Sequence, residues 1–236
     1  MSVHRSIMAL DTAMNGCSAC VYNHDSDGYF VEKEPMMRGH ADQLVPMVGR
    51  VMARAGLGYE ALDAVIVTVG PGAYTGLRIG LSAARSFGMA LDIPVYGMTT
   101  LQALALEYLQ KGEIENGLAV LVETKREDFY IQMFDAQGQP IDAAQALTVN
   151  EIETQMKGRS LVFIGDAVPR FKALCARKEA GWKFKDGFDL PDPLVIAQAL
   201  VQGGVKSPFL IADAQPVYLR PPNVSQSKKK QRVIDQ

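Results

Sequence analysis

One segment carries residue types that suit anion binding, the glycine-rich run at residues 70–80. A short β-branched run at 62–69 precedes it and predicts a buried strand. The glycines predict a sharp turn, and a helix is expected from Thr75. Such a junction leaves backbone N–H groups at a helix N-terminus, where a phosphate could bind. Because Leu77 and Arg78 replace the Lys-Ser/Thr pair of a Walker A loop, a tight turn without ligand is an equally good interpretation.

The helix after this turn has small residues at every fourth position: Gly76, Gly80, Ala84 and Gly88. Residues with this spacing lie along one side of a helix. Each interior glycine costs about 1 kcal/mol relative to alanine, so a compensating contact is expected. We expect close approach of another backbone, either within the chain or across a subunit interface.

The preceding helix, expected at 41–55, has apolar residues over an arc that is too wide to be buried on one side only. These residues are Leu44, Val45, Met47, Val48, Val51 and Met52. Methionine-rich surfaces repack readily, which suits contact with a partner. We therefore predict a partner interface formed by these six residues and the small-residue side of the next helix. The alternative is a helix enclosed by its own domain.

No metal site is predicted. Cys17 and Cys20 have C-x-x-C spacing, but they fall in an expected strand, where residues three apart point to opposite faces. The histidines, His4, His24 and His40, have unrelated spacings. Asp11 ends the first strand and could act as a general base or hold Mg²⁺ through water. The simpler interpretation is that it hydrogen-bonds the following turn.

The predicted elements form a βββ-α-β-α unit that occurs twice, which favours an α/β fold of two such lobes. In the first unit, strands are expected at 6–11, 18–22, 29–34, 62–69 and 93–96, with helices at 41–55, 75–91 and 100–110. In the second, strands are expected at 118–123, 128–134, near Ile141 and at 160–164, with helices from Asn150 and at 166–177. The predicted lobes are 1–100 and 101–220, followed by a disordered basic tail at 221–236.

Two such units resemble the actin-like ATPase and sugar-kinase fold, in which a nucleotide is clamped between turns of the two halves. The resemblance implies a first phosphate loop at Asp11 and Thr12, beside Gly70 and Gly72, which is vestigial here. The second turn, 123–127, contains no glycine for close backbone approach to phosphate. One half of the clamp is therefore expected to be missing.

The composition limits the partners. The chain has 236 residues, 48% of them apolar, and a net charge of −2. A chain with this net charge lacks the excess positive charge that is typical of nucleic-acid-binding proteins, so any role in RNA chemistry requires a partner that holds the RNA. No apolar stretch approaches a membrane span, and no signal peptide is recognised, so a cytoplasmic protein without membrane contact is expected.

Several motifs in order resemble the TsaB (YeaZ) family: residues 7–13 with Cys17 and Ser18, His40 opening a helix, the run 69–80, and residues 216–220. The resemblance covers about 5–220. It implies a non-catalytic, cofactor-free subunit in the biosynthesis of threonylcarbamoyladenosine beside the tRNA anticodon. The implied partners are the paralogue TsaD, in a heterodimer, and the ATPase TsaE, with tRNA contacted only indirectly. A homodimer of the isolated chain is also expected to be possible.

TsaD-like enzymes hold a metal with two histidines four residues apart on one helix. In this chain Thr100 and Leu104 stand at the matching positions, and neither can replace an imidazole. The family usually has Asp-Ala-Arg-Arg at the second turn, where this chain has 123–126 as Glu-Thr-Lys-Arg. The alternative function is a metal- or nucleotide-dependent enzyme of the same superfamily: a transferase, a peptidase-like hydrolase or a kinase.

Overall fold

A computed structural model describes residues 6–112, 114, 116–176 and 181–220. The predicted basic tail at 221–236, the end of the helix expected at 166–177, and His4 lie outside these residues.

The described chain forms two five-stranded sheets of the same topology. The first sheet contains β1 (Ser6–Asp11), β2 (Gly16–Asn23), β3 (Gly28–Pro35), β4 (Ala64–Thr68) and β5 (Val95–Met98) in the order β3-β2-β1-β4-β5. The second contains β6 (Leu118–Glu123), β7 (Asp128–Phe134), β8 (Gln145–Thr148), β9 (Leu161–Ile164) and β10 (Trp182–Phe184) in the order β10-β9-β6-β7-β8. In each sheet three antiparallel strands continue into parallel ones, which confirms the predicted repeat.

The described residues also form six α-helices. They are α1 (His40–Ala55), α2 (Tyr74–Leu91), α3 (Thr100–Lys111), α4 (Val149–Gln155), α5 (Val168–Leu174) and α6 (Pro193–Gly203). The expected third strand near Ile141 is wrong, because that residue is exposed and the strand forms at 145–148. The helix expected from Asn150 begins one residue earlier, since Thr148 and Glu151 form its capping box.

One helix from each half of the chain packs against the sheet of the other half. The inner side of α3 packs in a core with Leu118 and Val120 of the second sheet. Conversely, α6 packs on the first sheet, where Ile196 and Leu200 join the core on Ile7 and Ala9. The backbone of Ile211 also pairs with Gly97 at the edge of β5. The chain thus returns to the first lobe after residue 192, which the division at residue 100 did not anticipate.

The apolar side of helix α1 is enclosed by its own lobe, and this corrects one prediction. Leu44, Met47, Val48, Val51 and Met52 are at most 2% exposed and belong to the core of the first sheet. Their arc is wide because α1 is covered by the sheet and also by α2, which shares that core. These five side chains are therefore not available to a partner. Val45 alone of the six is exposed, at 54%.

The small-residue side of α2 also faces inward. A Cβ atom at Gly76 would lie 2.1 Å from the Thr12 carbonyl oxygen, and one at Gly88 would lie 2.4 Å from a methyl group of Val95. Gly80 and Ala84 are buried on the same side. The compensating contact is thus close approach within the chain, and the expected subunit contact at Gly76, Gly80, Ala84 and Gly88 is wrong.

Candidate functional site

The end of β1 is held by hydrogen bonds inside the first lobe. The buried Asp11 Oδ1 accepts from Thr68 Oγ1 at 2.6 Å and from the Ala13 N–H at 3.1 Å. Thr12 Oγ1 donates to the Gly76 carbonyl at 2.7 Å. Burial raises the pKa of Asp11 to about 6, against the lowering effect of these hydrogen bonds. Asp11 therefore bonds the adjacent turn, as its simpler interpretation predicted, and can change charge near neutral pH.

The glycines of the 70–80 run permit backbone-to-backbone packing on this turn. A Cβ at Gly72 would lie 2.2 Å from the Ala13 carbonyl oxygen, which accepts a hydrogen bond from the Ala73 N–H. Gly70 has φ +106°, and a Cβ there would lie 2.8 Å from the Val217 carbonyl oxygen. Packing alone accounts for both glycines, which favours the tight turn over the phosphate loop.

A cleft of about 660 Å³ lies between the lobes, a volume typical of small-molecule sites. Its first-lobe wall carries an aromatic and cationic cluster. The rings of Tyr74 and Tyr218 lie 5.2 Å apart, and the Arg78 guanidinium lies 4.1 Å from the Tyr74 centroid. Arg78 Nε also donates to Tyr218 Oη at 3.3 Å. Such a wall can stack planar groups and attract anions.

The opposite wall is the second turn, at 123–127. Glu123 forms a bidentate ion pair with Arg170, at 2.6 and 2.7 Å. Its Oε1 also accepts from the Lys125 N–H at 2.6 Å. Lys125 has φ +58°, a left-handed conformation that glycine more often adopts. The turn therefore makes a glycine-like bend without glycine, and the carboxylate of Glu123 accepts the hydrogen bond of the Lys125 N–H.

Asp166 is the acid of the cleft that sequence reasoning did not identify. Its Oδ1 accepts from the Glu123 N–H at 2.9 Å. Burial, together with the charges of Glu123 and Asp189, raises the pKa of Asp166 to about 7, against the lowering effects of that hydrogen bond and of Lys125. A carboxyl group that titrates near neutral pH can exchange protons with a bound group. Its position directly after strand β9 and Gly165 was the available signal.

The side chains considered as metal ligands at the start of α3 and in β2 are buried in the protein interior. Thr100 and Leu104 are fully buried at the start of α3. Cys17 and Cys20 are buried free thiols whose pKa values burial raises to about 12. In the part of the chain that the structure describes, no three His, Cys, Asp or Glu residues are grouped so that they could hold a metal ion. His40 Nε2 instead lies 3.3 Å from the Met14 carbonyl oxygen.

A second surface of interest is the outer side of α1 and α2. Val45, Gly49 and Ala53 follow one another every four residues on the outside of α1. A Cβ at Gly49 would meet only Tyr59 Oη, at 3.7 Å. The Tyr59 ring in turn stacks on Phe87 of α2, at 5.7 Å and an interplanar angle of 12°. We call this set of five residues the outer helix face.

The repeated sheet order and the cleft between the halves define a protein of the actin-like ATPase and sugar-kinase fold, as the sequence predicted. The profile of the family described as TsaD, tRNA N6-adenosine threonylcarbamoyltransferase, matches residues 32–204. The chain belongs to this family, and within it to TsaB (YeaZ). A solved structure, YeaZ from Pseudomonas aeruginosa, superposes with a TM-score of 0.74 at 24% identity, covering 91% of this chain and 99% of that one.

Curated proteins are also similar to this chain. The Escherichia coli tRNA threonylcarbamoyladenosine biosynthesis protein TsaB is 26% identical over 91% of this chain and 94% of its own length. An uncharacterised Mycobacterium tuberculosis protein is 36% identical over 126 residues, which is 53% of this chain. The chain spans 57% of the length of that mycobacterial relative. None of the helices in the described ranges is sufficiently long and apolar to cross a bilayer.

Proposed function

We propose that this chain is a non-catalytic subunit that binds a TsaD-type threonylcarbamoyl transferase during threonylcarbamoyladenosine biosynthesis in tRNA. The pair would offer a docking surface to a TsaE-type ATPase, and the chain would reach tRNA only through its partner. The observation that carries the proposal is the similarity to TsaB along nearly the whole of both chains. The cleft and the outer helix face then suggest how the chain would serve such a complex.

The outer helix face supports a role in binding a protein. It combines small residues, Gly49 and Ala53, with the flat surface of the stacked Tyr59 and Phe87 rings. Small residues let a second helix approach closely, and aromatic rings supply much of the energy of protein interfaces. Met89, on the same helix as Phe87, is 85% exposed and adds apolar surface to α2.

The start of α3 supports the absence of catalysis. Thr100 and Leu104 stand where a TsaD-type enzyme would present two imidazoles, and here both side chains are packed in the interior. Leu104 belongs to the core that joins α3 to β6. A ligand pair could be introduced there only by opening that core.

The partner role is tested by adding a long charged side chain to the outer helix face. Ala53→Arg places it on the exposed side of α1, where arginine is nearly as good a helix former as alanine. The matched control is Ala173→Arg, at an exposed position of α5 in the other lobe. We expect Ala53→Arg to weaken binding to the TsaD-type protein at least ten-fold, about 1.4 kcal/mol, and the control to bind normally. Unchanged binding by both variants would place the contact elsewhere.

A second candidate, a nucleotide-dependent enzyme, is favoured by Asp166, whose raised pKa beside an open cleft is typical of a proton-transfer group. Titration of the isolated chain with Mg-ATP, followed by an assay for released phosphate, distinguishes it from the partner role. Turnover that is lost in Asp166→Asn, with binding retained, would support the enzyme.

A further inference from the structure

The segment 211–220, which we call the terminal strap, runs along the first lobe before it reaches the second. Backbone hydrogen bonds of 2.8 Å join Ile211 and Gly97 in both directions. Further along, the Val217 N–H donates to the Val69 carbonyl at 2.7 Å, and the Val217 side chain packs against the core of the first sheet. Most of the strap is therefore attached to the first lobe by its backbone and by apolar packing.

Helix α2 holds the same segment through its side chains. Arg85 Nη2 donates to the Ala214 carbonyl at 2.7 Å. One helical face further towards the cleft, Arg78 Nε donates to Tyr218 Oη at 3.3 Å, and the Tyr74 ring lies 5.2 Å from the Tyr218 ring. The strap is thus fixed on the first-lobe wall of the cleft as far as residue 218.

Two residues later the strap contacts the second lobe. Arg220 Nη2 forms an ion pair with Asp128 Oδ2. Asp128 is the first residue of β7, directly after the second turn, and its side chain is 4% exposed. Its Oδ1 accepts a hydrogen bond from Thr124 Oγ1 at 2.9 Å, which orients the carboxylate. Because a buried carboxylate is costly without a cationic partner, the contact with Arg220 is strongly favoured.

The strap therefore joins the two walls of the cleft, and its two attachments differ in strength. The first-lobe attachment combines backbone hydrogen bonds, apolar packing and two arginines of α2. The second-lobe attachment described here is one ion pair, and the Arg220 side chain is 41% exposed, so water can solvate the guanidinium when the pair separates. Movement of the lobes away from each other would break this pair first.

We propose that the terminal strap is a clasp that holds the two lobes at a fixed separation, with the Arg220–Asp128 ion pair as its releasable end. Lobes that can rotate about their connecting elements change the width of the cleft between them. The clasp would keep the first-lobe wall and the second turn at the spacing that gives the cleft its volume of about 660 Å³. This inference concerns the isolated chain, so it stands or falls separately from the partner role.

The test measures the separation of the lobes with spin labels. Ser26→Cys in the first lobe and Ala173→Cys in the second place labels at exposed positions. Cys175→Ser removes a partly exposed thiol, whereas Cys17 and Cys20 are buried. Double electron–electron resonance gives the distribution of distances between the labels. Dilution with unlabelled chain removes distances between molecules.

The clasp is released by Arg220→Ala in this labelled background. We expect its distance distribution to be roughly two-fold broader than that of the native residue and to extend to longer distances, as hinge motion between two lobes requires. Arg220→Lys keeps a cation that can reach the carboxylate, so its distribution should remain narrow. Arg126→Ala is the matched control, because it removes a cation that lines the same cleft and leaves the Arg220–Asp128 pair intact.

Three results would overturn the proposal. They are a native distribution in Arg220→Ala, an equal broadening in Arg126→Ala, and an Arg220→Lys distribution as broad as that of Arg220→Ala. Circular dichroism verifies that each variant is folded. If Arg220→Ala unfolds because Asp128 is left without its partner, the double variant Arg220→Ala/Asp128→Asn removes that buried charge. The same distance measurement on the double variant then decides, and a native distribution would again overturn the proposal.

Discussion

Replacement of Gly76 by alanine tests whether α2 packs directly on the turn after β1. The added Cβ would lie 2.1 Å from the Thr12 carbonyl oxygen, whereas ordinary contacts begin near 3.4 Å. The two backbones must therefore separate by more than 1 Å, roughly the difference between these distances. That shift breaks the 2.7 Å bond from Thr12 Oγ1 to the Gly76 carbonyl, worth about 1 kcal/mol, and adds overpacking of about 1–3 kcal/mol.

Helix propensity works in the opposite direction, since alanine stabilises an interior helical position by about 1 kcal/mol relative to glycine. We therefore expect Gly76→Ala to lose about 2 kcal/mol in the free energy of unfolding, and its melting temperature to fall by about 4–8 °C. Gly49→Ala on α1 is the control, because its Cβ meets nothing closer than Tyr59 Oη at 3.7 Å. It should gain about 1 kcal/mol. Circular dichroism during thermal and urea unfolding measures both, and a Gly76→Ala variant as stable as the native chain would refute the packing.

Further predictions concern charge and ligand binding. Because the pKa of Asp11 is raised to about 6, its ionisation disfavours the folded state, so this group costs stability as pH rises from about 4 to 6. The free energy of unfolding of Asp11→Asn should equal that of the native chain at pH 4 and exceed it at pH 7 by about 2–3 kcal/mol. If urea unfolding gives the two proteins the same pH dependence of stability, this prediction is contradicted. Val48→Asp should lose at least about 3 kcal/mol, because it buries an unpaired charge, whereas Val45→Asp should change stability by less than about 0.5 kcal/mol; similar urea midpoints would show that α1 is not enclosed. Mg-ATP should bind the isolated chain with a Kd weaker than about 10 μM, about −7 kcal/mol, because the second turn lacks the glycine of a nucleotide clamp, and a tighter 1:1 calorimetric isotherm would contradict this reasoning.

Much of the fold follows from local sequence patterns. Strands β1, β6 and β7 begin and end at the predicted residues, because each is a short apolar or alternating run bounded by turn residues. The repeat emerged from the order of these elements. Strand β10, of three residues, and α6 were not predicted. The apolar residues of α6 include Leu194, Val195, Ile196 and Leu200, a dense run without a clear polar side that gives periodicity little contrast.

The site was harder to predict, because its contacts join residues far apart in the sequence. Glu123 and Arg170 are 47 residues apart, and Arg78 and Tyr218 are 140 apart. Local patterns identified the glycine turn and the missing glycine of the second turn. An apolar pattern on α1 shows which residues are buried, but it does not show whether the covering helix belongs to the same chain or to a partner. The predicted interface therefore includes Leu44, Val48 and Val51, which belong to the core.

The most direct test of the partner role is reconstitution of threonylcarbamoyladenosine synthesis with the TsaD-type protein of the same organism, a TsaE-type ATPase, tRNA and the threonylcarbamoyl donor. The modified nucleoside is quantified by mass spectrometry after digestion of the tRNA. We expect product only when this chain and the TsaD-type protein are both present, and none from this chain with the ATPase alone. Product formed without the TsaD-type protein would contradict the non-catalytic role, and full activity in the absence of this chain would contradict the partnership.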